Sequence, residues 1–192
     1  MHIADGLLPI GVSLAADAAT LAGVWAGGRK LTPREIPRMG IFAALLFTAS
    51  LIHLPVAGTS IHLGLYGLAG IILGVRSFPV VFVSLIFQCL IFQHGGLLSL
   101  GVNTLTMGSG SLLAGLLWSH LPLSSRMRGF ICGLAGIFFP AWLISLLFLL
   151  LGYGRGMLFL LGLYLPVAII EGVLTGVIVH YFLKVQPEIL KR

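Results

Sequence analysis

The chain has 192 residues, 58% of them hydrophobic and only 8% charged, with a mean hydropathy of +1.12 and a formal net charge of +6. That balance excludes an ordinary soluble domain, and it leaves too few polar residues to hide a soluble catalytic or nucleotide-binding unit. The long apolar runs lack the alternation of a membrane β-barrel, so the class is all-α and polytopic, and the basic excess is topological, with no nucleic acid as partner.

Seven spans are expected in chain order, about 7–28, 40–54, 61–75, 78–93, 97–121, 129–152 and 156–183, forming a single integral membrane domain over 1–192. Gly27-Gly28-Arg29-Lys30 ends the first. The linker Leu31 to Arg38 follows, where Pro33, Pro37 and the charges argue against a continuing membrane helix. Pro55 closes the second, and Ala57 to His62 is a small polar stretch before the third. Arg76-Ser77 divides the third run from the fourth, and both are short for spanning helices. The basic residues decide the count. With seven spans and the N-terminus outside, ten of the eleven Lys and Arg fall inside, leaving Arg155 outside. Fusing runs three and four puts Arg76 in mid-membrane and splits the other ten evenly. Seven spans with the N-terminus outside is therefore the expected topology. No basic n-region precedes the first apolar run, so no secretory signal is expected, and a retained Met1 is expected because His2 is bulky.

This topology gathers His2, His53, His62 and His94 on the outer side and leaves His120 and His180 near the inner ends. Met1-His2 presents an α-amine, the His2 amide and the His2 imidazole as linked chelate rings. Such a set is nearly planar and requires a deprotonated amide, which favours late first-row divalent ions. Ni²⁺ accepts four nitrogens in a square, Zn²⁺ prefers a tetrahedron, and Mg²⁺ or Ca²⁺ prefers oxygens. The open corner suits an outer histidine, and His62, beside Gly58-Thr59-Ser60, is the candidate. Each histidine alone also reads as an unremarkable interfacial residue; the pairing on one face raises the metal reading.

Three stretches, taken together, carry a resemblance. Met1-His2-Ile3-Ala4-Asp5-Gly6, then Pro55-Val56-Ala57-Gly58-Thr59-Ser60-Ile61-His62-Leu63, then Gln93-His94-Gly95-Gly96-Leu97 through Asn103 with Met107-Gly108, resemble the CbiM/NikM family in order and over essentially the whole chain. That family supplies the substrate-binding (S) components of energy-coupling-factor (ECF) type ABC importers for cobalt and nickel. The resemblance implies an N-terminus inserted from outside into the bundle, with Ni²⁺ or Co²⁺ held by the Met1 amine, the His2 amide and imidazole, and His62. It implies a shaping role for Asp5 and Gly6, and supporting roles for Thr59, Ser60 and Asn103. It also implies partners: a transmembrane coupling (T) subunit, cytoplasmic ATPase subunits and a small accessory membrane subunit, all in a prokaryotic inner membrane. His94, on the approach path or in a plain loop, follows the cobalt-type pattern. Gly58-Thr59-Ser60 follows the nickel-type pattern, and Thr106 stands where a second Asn is common. Metal preference stays open.

Glu171 and Asp17 are intramembrane acids without a derivable partner, and each reads either as functional or as a structural hydrogen bond. The pairs Gly70/Gly74, Gly172/Gly176, Ala15/Ala19 and Ala18/Ala22 are small-residue spacings for close helix contact. Cys89 and Cys132 read as small buried hydrophobes. The chain carries no Gly-rich phosphate loop with its Lys and no H-E-x-x-H, so it is not expected to be an enzyme. A polytopic membrane metalloenzyme or a standalone secondary transporter remains the alternative, the latter without the internal repeats it often shows.

Overall fold

A computed structural model describes residues 2–56, 59–153 and 156–190, and the side chains of 53–60 and 156–158 fall outside that description. Among the described residues there are seven α-helices: α1 (Ile10–Gly28), α2 (Glu35–Ala49), α3 (Tyr66–Leu73), α4 (Ser77–Phe92), α5 (Leu100–His120), α6 (Ser125–Leu150) and α7 (Gly156–Val185). Between α2 and α3 lies an antiparallel hairpin of β1 (His53–Val56) and β2 (Thr59–His62), with His53 opposite His62. The apolar runs become helices because a chain in lipid must satisfy its backbone within itself.

Two boundaries depart from the expected spans. Helix α2 starts at Glu35, inside what the prolines mark as linker. Pro37 falls in its first turn, where a missing amide costs nothing. Glu35 also folds back to accept from Thr32 N–H (2.8 Å) and Thr32 Oγ (2.9 Å), a capping arrangement. The third run is helical only over Tyr66–Leu73, since Ile61 and His62 belong to β2. Neither α2 nor α3 has the roughly 20 residues of a full helical crossing.

By length and apolarity five stretches can cross a membrane: Ile10–Gly28, Tyr66–Phe92, Leu100–His120, Ser125–Leu150 and Phe159–Val185. The second of these is not one rod. His62 precedes α3 and His94 follows α4, yet both rings flank His2, at centroid distances of 4.9 and 5.7 Å. A straight helix over 66–92 would hold its ends about 40 Å apart. The chain instead reverses through the 3-10 turn Gly74–Arg76, where Gly74 has φ 57°. Arg76 at this reversal donates to Gly27 O, Arg29 O and Lys30 O and pairs with Glu35 at 2.9 Å. The Thr32 amide first, then the Arg76 guanidinium, holds the Glu35 carboxyl down at about 2. The start of α4 thus lies at the same end as the α1–α2 linker, as the charge count expects.

Close packing centres on α6. A side chain at Gly67 of α3 would meet Cys132 O at 2.5 Å, and one at Gly133 would meet Glu171 O at 2.5 Å. These bare backbones bring α3 and α7 close against neighbouring faces of α6. Gly70 lies against Ser111 of α5, and Gly172 and Gly176 lie against Phe130 and Arg126 of α6, so these glycine spacings serve internal packing. Ala15, Ala18, Ala19 and Ala22 are exposed.

Candidate metal site

The segment before α1 is not helical, and its backbone is held by side chains. Ile3 is 2% exposed. Its N–H donates to Asn103 Oδ1 at 2.8 Å, and its carbonyl accepts from Asn103 Nδ2 at 3.0 Å. One amide side chain therefore satisfies both backbone groups, as a neighbouring strand would. Ser99, just ahead of α5, sets its hydroxyl 2.7 Å from Ile3 O and 2.9 Å from Asp5 Oδ1. Ser99 N–H also donates to Asp5 Oδ1 at 2.8 Å, so Asp5 caps α5 from the N-terminal segment. Gly6 turns the chain with φ 85°. The Gly95-Gly96 pair acquires a reason: Gly95 has φ 80° and lies over His2 and Ile3, while a side chain at Gly96 would collide with the Asp5 carboxyl.

His62 ends β2 and is 4% exposed. Its Nδ1 lies 3.0 Å from Leu63 O, and its Nε2 lies 3.0 Å from His2 Nε2. A carbonyl only accepts, so Nδ1 carries the proton and the lone pair of neutral His62 sits on Nε2. His2 Nε2 is then the donor, which puts the His2 lone pair on Nδ1. Each ring is in the tautomer a metal ligand needs, and His62 has the outer hydrogen bond that orients such a ligand.

His2 as a residue keeps some exposure, but its ring is packed between those of His62 and His94. Burial first, with the His62 and His94 rings adding to it, holds the His2 imidazole well below its ordinary range. Gln88 on α4, fully buried, also acts on that ring. Its Nε2 donates to Ser84 Oγ at 2.9 Å, while its Oε1 is buried with no hydrogen bond of sound geometry. Among the described residues no three His, Cys, Asp or Glu side chains converge as ligands. A set of two imidazoles with backbone nitrogen does not require such a cluster.

The remaining predicted residues sort clearly. Met1 lies outside the described residues, as do the side chains of Thr59 and Ser60, whose backbone forms β2. Asn103 supports Ile3 rather than a histidine ring, and Asp5 supports Ser99. His94 joins the ring group, also lying 6.0 Å from Phe92. His120 and His180 sit apart, on Leu116 O and on Ser125 and Arg126. Asp17 accepts from Gly101 N–H at 2.8 Å, joining α1 to the start of α5. Glu171 accepts from the Gly64 and Leu65 amides. Ser99 and Gln88 escaped the sequence reading, although each is a polar residue inside an apolar stretch, which is the signal that marks them.

Comparison with known proteins shows the family. Residues 2–189 match the family described as the cobalt uptake substrate-specific transmembrane region, CbiM. A putative metal transport protein of Haemophilus influenzae is 32% identical over 100% of this chain and 98% of the relative. The cobalt transport protein CbiM of Sorangium cellulosum is 31% identical, covering 100% and 95%. A putative fused cobalt transport protein CbiMQ of Methanocorpusculum labreanum is 31% identical over 98% of this chain but only 36% of its own length. A crystal structure of a transition metal transporter superposes with a TM-score of 0.80 at 24% identity, covering 96% of this chain and 93% of that one. The crystal structure of a truncated transition metal transporter gives 0.74 at 25% identity, with 96% and 99% covered.

Proposed function

Because the chain belongs to the CbiM family, a multi-pass membrane component of cobalt or related transition-metal uptake rather than an enzyme, we propose that it is the ion-capturing S component of an ECF-type importer. Its cargo is Ni²⁺ or Co²⁺, taken as substrate from outside. The four nitrogens are the Met1 amine, the His2 amide, His2 Nδ1 and His62 Nε2. The observation that carries this reading is the 3.0 Å approach of two imidazoles in complementary tautomers, with His62 locked by Leu63 O. Chelation through the amide and Nδ1 closes a six-membered ring. The His2 ring must therefore turn about Cβ–Cγ, since Nε2 now faces His62. Its Nε2–H then needs an acceptor, and buried Gln88 Oε1 supplies one.

The same reading gives seven crossings within one membrane-embedded unit, N-terminus outside and C-terminus inside. The third crossing is made by β2 and α3 together, with its non-helical backbone buried in protein rather than facing lipid. The ion meets His94 on its way in. Energy comes from a transmembrane coupling subunit and ATPases, with a small accessory membrane subunit. The fused relative, most of whose length lies beyond this chain, supports a stable membrane partner.

The test is titration of the purified protein with Ni²⁺ and with Co²⁺, repeated with one residue added ahead of Met1 and with His62→Ala. Both changes are expected to abolish tight binding, because each removes a corner of the square. Unchanged affinity in the extended protein refutes the N-terminal chelate; unchanged affinity in His62→Ala refutes the fourth ligand.

A further inference from the structure

Glu171 stands in the middle of α7 with 0% exposure, an expensive place for an acid unless its oxygens are used. Both are. Oε1 accepts from Gly64 N–H at 2.5 Å and Leu65 N–H at 3.0 Å, and Oε2 is also 3.0 Å from the Leu65 amide. These amides open α3, whose N-cap, Leu65, has the left-handed φ of 50° and no capping side chain of its own. An acid from a helix more than a hundred residues along the chain thus does the work of a local cap, and holds a non-glycine residue in a conformation it rarely adopts.

The place of this cap gives it a further meaning. Gly64 is two residues past His62, and the residue between them, Leu63, carries the carbonyl that sets the His62 tautomer. The path from His62 Nε2 through Nδ1 and Leu63 O to Gly64 N and Glu171 has no loose link. The hairpin ahead of His62 leaves its other side in register with His53, not with a helix. On the far side, α7 is seated by Gly133 of α6, where a side chain would strike the Glu171 backbone.

We infer that Glu171 is a positioning residue for the transported ion, anchoring the β2–α3 turn so that Leu63 O and His62 Nε2 face the N-terminal chelate. This rests on the reading of His62 as a ligand. It makes α7, which contributes no ligand, part of the ion site.

The experiment compares wild type, His62→Ala, Glu171→Gln, Glu171→Asp and Thr175→Val in detergent or nanodiscs, reading Ni²⁺ affinity and the visible absorption of the Ni²⁺-loaded protein. Glu171→Gln keeps the volume but sets an NH₂ against backbone donors. It is expected to weaken binding about 10–100-fold, the usual range for groups that orient metal ligands. Its spectrum is expected to move toward that of His62→Ala, as the fourth nitrogen leaves its corner. Glu171→Asp withdraws the carboxyl by one methylene and is expected to shift the same way, so it serves if the Gln variant does not fold. Thr175→Val, one turn along the same helix, is expected to keep the wild-type spectrum. Wild-type affinity and spectrum in the folded Glu171 variants overturn the inference. So does an affinity loss with an unshifted spectrum, which marks a purely structural cap. If His62→Ala itself binds as wild type, the ligand assignment has failed rather than the role of Glu171.

Discussion

The two imidazoles that meet at 3.0 Å are held by opposite means. His2 lies on a non-helical segment whose backbone is gripped by Asn103 and Ser99 at the start of α5, with Asp5 capping that helix in return. His62 ends a strand, and its position depends on a turn anchored by one carboxyl on a remote helix. The first arm is many weak polar contacts to a chain end; the second is one strong capping contact in a helix-packed body. The difference teaches that the half of such a site carried on irregular backbone needs several side chains reading that backbone. The half built on secondary structure needs only its exit fixed.

Changes aimed at one arm should therefore break that arm alone. Asn103→Ala leaves the Ile3 N–H buried without a partner, at about 1–3 kcal/mol, and leaves the Ile3 carbonyl to Ser99 alone. It is expected to lower Ni²⁺ affinity by about 100-fold, the upper end for supporting groups, while the His62 ring keeps its Leu63 contact. Isothermal titration gives the first, and histidine NMR shifts give the second. Gln88→Leu removes the acceptor for the turned His2 ring at similar volume, and about tenfold weaker binding is expected by the same titration. An unchanged affinity would mean that His2 binds without an outer partner.

The affinity should also depend on pH. Binding releases the His2 amide proton, and below about pH 7.7 the ordinary amine proton as well, so affinity must rise with pH. Each released proton makes half a pH unit worth about threefold. An ordinary histidine would add a further proton below about pH 6.5. Because burial holds the His2 imidazole well below that value, the His2 ring is expected to add no proton of its own at pH 6.5 and to stay neutral there by NMR of the metal-free protein. A His2 ring that titrates near pH 6.5 in those spectra would show that it is not shielded as its packing against His62 and His94 implies.

What could be read from the chain follows from what is local. Apolar run lengths give the membrane class, because lipid thickness and backbone satisfaction act on consecutive residues. The charges separate α3 from α4, since Arg76 in mid-membrane is prohibitive. Met1-His2, His62 and Asn103 stand out because nitrogen donors and an amide are rare amid leucine and valine. The hairpin before α3, the start of α2 at Glu35, and the partners of Asp17 and Glu171 were decided only by tertiary structure. An acid inside an apolar helix announces a cost but not where it is met. Here it is met at the open amides of other helices, 84 and 107 residues away in sequence, and which helix end lies within reach depends on how closely bare glycine backbones let α3, α6 and α7 approach.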